Sequence, residues 1–305
     1  LAIMHLMKIE ELISPLDNRY SLKIKDLANN FSESNLNKIR FEIEIEWVIF
    51  LCTHGGKSFK PLSASAKKNL LKIKNSFNHK SSKRIKTIES RTNHDVKAVE
   101  YFIREEMKKF PNLSKYEYLI HYALTSEDIN SLSYAVLIGK AKDIYLKKLD
   151  IFIKNLKSKS RSWASLPILA RTHGQAASPS TLGKEFKVFY QRLLRQKDIL
   201  NKMKPLAKFG GATGNFHTLD LTDSKINWLN KTKKFLSSFG VEQNPITTQI
   251  EPHDGIAELA HCIQRINNIT IDLDQDLWIY ISNDIFKLIL KDQEVGSSTM
   301  PHKVN

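Results

Sequence analysis

Residues 126–157 read SEDINSLSYAVLIGKAKDIYLKKLDIFIKNLK, and apolar residues recur through this stretch at helical spacing. The apolar stripe consists of Leu132, Val136, Gly139, Leu146, Leu149, Ile153 and Leu156. A helix of about thirty residues is roughly 45 Å long at 1.5 Å per residue, which is more than one small domain can easily bury. The stretch therefore predicts a long helix that packs in a bundle with other helices of similar length.

Two later stretches repeat this spacing of apolar residues. In 180–203, one face carries Leu182, Phe186, Phe189, Leu193, Leu200 and Met203. In 254–288, the apolar positions are Ile256, Leu259, Ala260, Ile263, Ile266, Ile269, Leu273 and Leu277. Together with 126–157, these long helices predict an all-α fold that is built on a helical bundle.

The chain that precedes the bundle contains shorter helices. Apolar residues recur at helical spacing over 32–52, and Ser63 is well placed to cap the helix after it. Another helix follows Asn93-His94-Asp95, where either Asn93 or Asp95 can act as the cap. We expect these helices to form a smaller domain of their own.

A turn signal separates the two regions. Phe110-Pro111-Asn112 interrupts the helical pattern, because proline lacks a backbone N–H and restricts the residue before it. The sequence therefore predicts an N-terminal helical domain over 1–112 and a central long-helix domain over 113–305.

Composition and charge limit the classes of function. The chain has 305 residues, 41% of them hydrophobic, which is enough for a large core. Its net charge of +15 favours anionic partners such as nucleic acid or a phosphorylated dicarboxylate, although lysines on helix faces are usually just solvated. No apolar run is long enough for a membrane span, and Cys52 and Cys262 lack metal-ligand spacing. We expect a cytoplasmic protein that needs no metal and no membrane.

The stretch EVGSSTMPHKVN, which ends at Asn305, combines the parts of an anion-binding loop. The hydroxyls of Ser297 and Ser298 follow a glycine that lets the backbone approach a ligand closely, and Lys303 supplies a cation after a proline. An ordinary Ser/Thr-rich connection is the structural alternative. The combination favours a mobile catalytic loop.

Three other polar motifs lie where the chain turns or a helix begins. Arg19 offers a planar cation, and Tyr20 places a hydroxyl donor beside it. Thr125 and Ser126 precede acidic residues, as is typical of a helix start, where unpaired N–H groups can also bind a carboxylate. His173 lies before a helix and is placed to be exposed in a cleft. Capping, or an inert surface position, is the structural alternative for each motif.

Two motifs could suggest a bound cofactor but do not require one. The run FGGATGN at 209–215 has no preceding strand in the sequence pattern, so it favours a tight connection over a dinucleotide site. Glu251, His253 and Asp254 have no further ligand pair at zinc spacing, and helix capping explains them equally well.

Taken in order, the polar motifs resemble those of the adenylosuccinate lyase family in the fumarase/aspartase superfamily. The resemblance covers Ser14 to Asn305. It rests on Ser14-Pro15 with Asp17, Arg19 and Tyr20, on Thr92-Asn93-His94-Asp95, on Thr125-Ser126-Glu127-Asp128, on Arg171-Thr172-His173-Gly174-Gln175, on Thr248-Gln249-Ile250-Glu251-Pro252-His253-Asp254, and on the final pattern G-S-S-x-M-P-x-K-x-N. One departure is Ala176, where the family usually has proline.

The resemblance implies a reaction that eliminates fumarate from adenylosuccinate, and from the related succinyl-carboxamide ribotide, without a cofactor. It implies that Ser297 is the base and that His173 is the acid for the leaving nitrogen. Carboxylates would be held by Thr125, Ser126, Lys303 and Asn305, the phosphate end by Arg19, Tyr20 and His94, and the succinyl or base region by Gln249. Asn93, Asp95, Thr172, Ser298 and Met300 complete the implied substrate-binding set.

The resemblance also implies an assembly. Long helices of the superfamily pack as a homotetramer in which each active site draws on three subunits. Family members continue beyond the position of Asn305 with a helical C-terminal domain, so we expect a third domain that this sequence does not include.

Two other classes of function remain open from the sequence. One is a sibling lyase, such as argininosuccinate lyase or fumarase, because these share the final loop pattern. The other is a helical scaffold or basic nucleic-acid binder, which only the charge and the missing C-terminal domain favour. The aromatic residues have core spacing and do not alternate with basic residues, which counts against nucleic acid.

The first prediction concerns Arg19. If Arg19 holds the phosphate of the substrate, Arg19→Ala should raise KM for a phosphorylated substrate more than it lowers kcat, because it removes binding shared by the ground and transition states. Steady-state kinetics measures both constants. An unchanged KM would count against this role.

Overall fold

The computed structural model describes residues 13–300 and 303–304. The helices are α1 (Lys25–Phe31), α2 (Glu33–His54), α3 (Ala64–Asn75), α4 (His79–Thr92), α5 (Asp95–Met107), α6 (Ser126–Ser162), α7 (Leu182–Lys202), α8 (His217–Thr222), α9 (Trp228–Ser237) and α10 (Asp254–Ser282). Short 3₁₀ helices cover Gly56–Ser58 and Pro111–Leu119. Helix accounts for 63% of the chain and strand for 6%, which confirms the predicted helical fold class.

In the part of the chain that the structure describes, the strands form two small sheets that the sequence did not predict. β1 (Pro167–Thr172) pairs with β2 (Gln175–Thr181) as an antiparallel hairpin. β3 (Leu206–Ala207) pairs in parallel with β4 (Glu242–Gln243). A two-residue strand therefore does precede the glycine-rich run at 209–215, although it is too short to form a dinucleotide-binding unit.

The chain divides into two compact units. Unit 1 contains the chain up to Tyr145 together with Lys204–Ala257, and unit 2 contains Leu146–Met203 and the chain from Glu258 onward. α6 contributes residues to both. The domain boundary at residue 112 stays a prediction.

The core of unit 1 is organised around α2. This helix, predicted from apolar residues at helical spacing, is buried on nearly every side although it carries Asn37, Arg40 and Glu44. The ring of Trp47 packs edge-on against those of Phe209 and Phe235, at centroid distances of 5.0 and 5.1 Å. α3, α4, α5 and α9 all pack against α2. Polar residues in the middle of α2 therefore gain stability from partners inside the core, as Arg40 does from Asp95.

The helix caps confirm one prediction and correct another. Ser63 caps α3, since its side chain accepts the N–H of Ala66. α5 is capped by His94, whose Nδ1 accepts the N–H of Lys97 at 3.2 Å, and not by either neighbour. Asn93 instead ends α4 in the left-handed conformation, with φ of 51°. α4 was not predicted because its sequence is largely polar.

The three long helices are present, with revised ends. α6 and α7 match the predicted 126–157 and 180–203 closely, with α6 running on to Ser162. α10 ends at Ser282, short of the predicted 288. Asp284 adopts a left-handed conformation, and the N–H of Ile285 bonds back to the carbonyl of Tyr280, which is the hydrogen bond that closes a Schellman motif. This motif stops the helix although apolar residues continue after it.

Unit 2 brings α6 and α7 into close contact. Asp150 of α6 pairs with Lys197 of α7 at 2.5 Å. Near the other end of the contact, Trp163 packs edge-on against Phe186, with centroids 4.9 Å apart. Within the described residues, no helix is both long and apolar enough to cross a membrane.

The second prediction tests this contact. A Cβ on Gly183 would collide with the carbonyl oxygen of Ser160 and would lie 2.6 Å from the Cα of Ala164. Gly183→Ala should therefore lower the free energy of unfolding by about 1–3 kcal/mol, the usual cost of overpacking. Denaturant unfolding followed by circular dichroism measures the change.

The matched control is Val188→Ala, on the same helix at a position that is 41% exposed. This change should alter the free energy of unfolding by no more than about 0.5 kcal/mol. Equal stability of the two variants would contradict the close packing of α6 against α7.

Candidate active site

The candidate carboxylate site of unit 1 is the turn at Thr125-Ser126, where α6 begins. The backbone N–H of Thr125 donates to the carboxylate of Asp128 at 2.8 Å. Asp128 is fully buried and forms an ion pair with Lys208, also fully buried, at 2.7 Å. Both hydroxyl-bearing residues remain partly exposed. The buried Asp128 thus fixes the backbone of the turn, while the side chains of Thr125 and Ser126 are accessible to a ligand.

The segment before this turn is fixed by α2. His121 and Ala123 both have φ of 60°, a left-handed conformation that costs free energy in residues other than glycine. Glu44 accepts hydrogen bonds from the backbone N–H of His121 at 2.9 Å and contacts its ring Nδ1 at 2.6 Å. Trp47 donates its indole N–H to the carbonyl of Tyr122 at 3.0 Å. Two core residues of α2 therefore determine the path of the chain into the turn.

Gln249 lies on a segment that reaches the same part of unit 1. Gly214 packs directly against the carbonyl oxygens of Thr247 and Thr248. Two residues beyond Gln249, the backbone N–H of Glu251 donates to the carboxylate of Glu127 at 3.4 Å. The structure therefore brings the Gln249 segment to the first turn of α6, next to Thr125-Ser126, and Gln249 is exposed there.

Asp95, at the start of α5, also forms an ion pair with a core residue of α2. Arg40 of α2 is only 5% exposed and forms an ion pair with Asp95 at 2.7 Å. Burial raises the pKa of the Asp95 carboxyl, but the charge and hydrogen bond of Arg40, together with a backbone N–H bond, outweigh it, so the pKa lies below its usual range. The adjacent His94 is exposed, and its Nδ1 is used by the cap.

Arg19 and Tyr20 lie exposed in a series of turns after Ser14. The guanidinium of Arg19 lies 5.5 Å from the centre of the Tyr20 ring, a favourable cation–π distance. Both side chains can therefore reach a ligand, but their convergence with His94 on one phosphate stays a prediction.

In unit 2, His173 occupies the tip of the β1–β2 hairpin. Thr172 pairs with Gln175, so His173 and Gly174 form a two-residue turn in which both have positive φ, 55° and 71°. This is the turn geometry that suits the twist of a two-stranded hairpin. The imidazole is exposed at the tip, next to Thr172. The sequence predicted the exposure but not the hairpin that presents it.

The loop that carries Ser297 closes on itself. Gly296 packs against the backbone carbonyl of Lys303, and the N–H of Lys303 donates to the carbonyl of Met300 at 3.0 Å. Within this ring, the N–H of Met300 donates to Oγ of Ser297 at 3.2 Å. Ser297 is partly buried, whereas Ser298 and Lys303 are exposed. The predicted Asn305 lies outside the described residues.

Sequence reasoning gave no supporting role to the residues that hold the site in place, although Asp128 belongs to one of the motifs. Asp128 and Glu44 are the main examples, together with their partners Lys208 and His121. The signal for Glu44 is a charged residue inside the apolar stretch FEIEIEWVIF of α2. Lys208 carries no such signal, because a lysine beside a glycine run normally predicts an exposed loop.

The comparisons with known proteins agree with the motifs. A family model described as lyase matches residues 18–305. The chain belongs to the lyase family. This confirms the expected fumarase/aspartase superfamily.

Relatives within the lyase family are named adenylosuccinate lyase. The Escherichia coli (strain K12) enzyme is 43% identical over 295 residues, which cover 96% of this chain and 65% of the relative. The Buchnera aphidicola subsp. Schizaphis graminum enzyme is 44% identical with the same coverage. The chain thus spans 65% of the length of these relatives.

Solved structures of the lyase superfamily share the fold. A fumarate lyase from Mesorhizobium sp. BNC1 superposes with a TM-score of 0.66 at 15% identity, covering 84% of this chain and 57% of that protein. The 3-carboxy-cis,cis-muconate lactonizing enzyme from Pseudomonas putida gives 0.69 at 18% identity, covering 92% and 60%. At such identities the similarity concerns the fold alone.

The third prediction concerns the partly buried His121. Burial lowers the pKa of its imidazole, but the hydrogen bond and charge of Glu44, with a contribution from Glu100, outweigh burial and the opposing charge of Lys97. The pKa in the folded protein is therefore raised. Its contribution to stability is complete below about pH 6.5, the ordinary pKa of histidine, and is lost as pH rises through the folded-state pKa.

The free energy of unfolding should therefore fall as pH rises above about 6.5, by about 1.4 kcal/mol for each pKa unit of the shift. His121→Gln should abolish this part of the pH dependence. Denaturant unfolding at several pH values measures both proteins. Parallel pH profiles for the two would contradict the ion pair.

Proposed function

We propose that this chain carries the chemistry of adenylosuccinate lyase, the elimination of fumarate from adenylosuccinate to give AMP and from the succinyl-carboxamide ribotide to give the carboxamide ribotide. The observation that carries the proposal is the closed loop in which Oγ of Ser297 accepts a hydrogen bond from the backbone N–H of Met300. A serine hydroxyl is too weak an acid to ionise unaided, and an N–H donor at Oγ stabilises its anion. The names and identity of the relatives support the choice of substrate.

Ser297 is the proposed base. As an alkoxide, it takes the proton from the Cβ of the succinyl group, and the electron pair left on carbon delocalises into the adjacent carboxylate. Lys303 is the cation of the same loop and would stabilise this charge. Ser298 is exposed beside the base and serves binding, as does Met300.

His173 is the proposed acid. When the Cα–N bond breaks, the electron pair goes to nitrogen, and an imidazolium supplies the proton that this nitrogen needs. The exposed position at the hairpin tip supports this role, because the side chain can approach a ligand without displacing the core. Thr172 would position the same part of the substrate.

The remaining residues anchor anionic groups. Thr125 and Ser126 would hold a carboxylate at the start of the 37-residue α6, where the helix dipole favours negative charge. Arg19, Tyr20 and His94 would hold the phosphate, with Asn93 and Asp95 shaping that end. Gln249 would contact the succinyl region, and Asn305 a carboxylate. The neighbouring positions of Thr125-Ser126 and the Gln249 segment in unit 1 support a common ligand.

The proposed active form is a homotetramer with shared active sites, located in the cytoplasm. Exposed apolar residues on α10 support self-association: Trp278 is 76% exposed, Ile271 51% and Ile279 50%. Side chains of this kind in a row along one helix are typical of a protein interface. The proposal includes no cofactor, metal, nucleic acid or membrane partner.

A sibling lyase activity is the second candidate. The final loop pattern is shared with argininosuccinate lyase and fumarase, so the loop by itself does not choose the substrate. An assay of fumarate release from adenylosuccinate and from argininosuccinate, using the protein as its gene encodes it, separates the two. Release from argininosuccinate alone would reject the proposal.

The fourth prediction tests the two catalytic roles. Ser297→Ala should lower kcat by orders of magnitude while substrate still binds, because it removes an interaction used only in the transition state. Ser298→Ala is the matched control and should cost much less. His173→Ala should also abolish most turnover, and the two defects should be non-additive because both groups serve one elimination.

If active sites are shared between subunits, a mixing experiment gives this prediction a second measurement. Mixing inactive Ser297→Ala protein with inactive His173→Ala protein should restore some activity after subunit exchange, because some sites then receive both intact residues. No recovery despite demonstrated exchange would mean that both residues come from one chain, or that one role is wrongly assigned.

A further inference from the structure

The ion pair between Asp128 and Lys208 lies in the interior of unit 1, outside the residues that the proposed reaction uses. Both side chains are fully buried, and their charged atoms are 2.7 Å apart. Lysine and aspartate are almost never fully buried unless paired. Replacing such a pair by apolar residues is often neutral or stabilising, so stability by itself does not account for it.

The pair connects two segments that are distant in sequence. One carboxylate oxygen of Asp128 accepts the N–H of Thr125 at 2.8 Å, and the other accepts the N–H of Gly211 at 3.2 Å. The ammonium of Lys208 donates to the carbonyl of Gly211 at 2.6 Å. In addition, the hydroxyl of Ser131 donates to the Lys208 carbonyl at 3.0 Å. The first turns of α6 are thus bound to the glycine-rich turn after β3.

The glycine-rich turn also contacts a third segment, which leads into Gln249. Gly214 packs against the carbonyl oxygens of Thr247 and Thr248, immediately before Gln249. On its other side, a Cβ on Gly211 would lie 3.3 Å from the carbonyl oxygen of Ala123. The turn therefore lies between the segment that leads into Thr125 and the segment that leads into Gln249.

We propose that Asp128 and Lys208 are positioning residues for substrate binding: their ion pair fixes the glycine-rich turn so that Thr125-Ser126 and Gln249 are held at the distance the succinyl group requires. This role rests on the proposed function. Both side chains are fully buried and are not among the residues assigned to the substrate. The two oxygens of Asp128 accept one backbone N–H each, and the ammonium of Lys208 donates to the carbonyl of Gly211. Asparagine has only one oxygen and methionine has no N–H donor, so neutral replacements lose this combination.

The test compares Asp128→Asn, Lys208→Met and the double variant in the protein as its gene encodes it. Each single variant leaves one buried charge unpaired, so each should unfold at lower denaturant concentration. The double variant has no unpaired charge and should recover much of that loss. Its KM for adenylosuccinate should nevertheless stay raised by about tenfold or more, because Gly211 has lost both of its charged partners.

Leu70→Ala is the control for lost stability without lost positioning. Leu70 is fully buried in α3 and is not among the residues assigned to the site. It should lower the unfolding midpoint and leave KM unchanged. Hydrogen–deuterium exchange gives a second readout: in the double variant, the peptides that contain Thr125 and Gly211 should exchange faster than in the wild type or Leu70→Ala.

The outcomes separate the two proposals. If wild-type protein releases no fumarate from adenylosuccinate, the proposed function fails, and this role fails with it. If the wild type is active but the double variant recovers both stability and KM, the pair is merely structural and the positioning role alone is overturned. Unchanged exchange at Thr125 and Gly211 would overturn it as well.

Discussion

Burial of α2 on nearly every side is the constraint on which unit 1 depends. A helix that passes through the core places polar side chains where each unpaired group costs free energy of desolvation. Its Arg40 pairs with Asp95, and its Glu44 bonds to His121. Each partner lies next to a helix start with candidate binding residues. Core residues of α2 therefore fix the backbone next to His94 and in the segment that leads into Thr125.

Unit 2 presents its two candidate catalytic groups differently. His173 is carried by a two-residue hairpin turn, and Ser297 by a loop that closes through backbone contacts. His173 is exposed and Ser297 is partly buried. This arrangement suits residues that must move onto a substrate, because a loop or turn can shift without repacking a core.

Much of the candidate site was visible in the sequence, because chemistry-bearing residues cluster at helix starts and turns. Thr125, His173 and Ser297 were all predicted in this way, and their roles stay predictions. The pairing of the supporting residues was not predicted, because their partners are far away in the sequence: Glu44 and His121 are separated by 77 positions, and Asp128 and Gly211 by 83. No local pattern specifies which buried charge meets which. The capping of α5 by His94 was missed because three adjacent polar residues, Asn93, His94 and Asp95, could each act as the N-cap.

The sequence by itself determined the long helices and the polar motifs between them, since helical periodicity and turn chemistry are local properties. It did not determine that α2 is buried all round, that a hairpin carries His173, or that α10 stops at Ser282. These depend on tertiary structure. Burial is decided by what packs around a helix, the hairpin by pairing between strands, and the helix end by the left-handed backbone at Asp284 and the hydrogen bond that follows it.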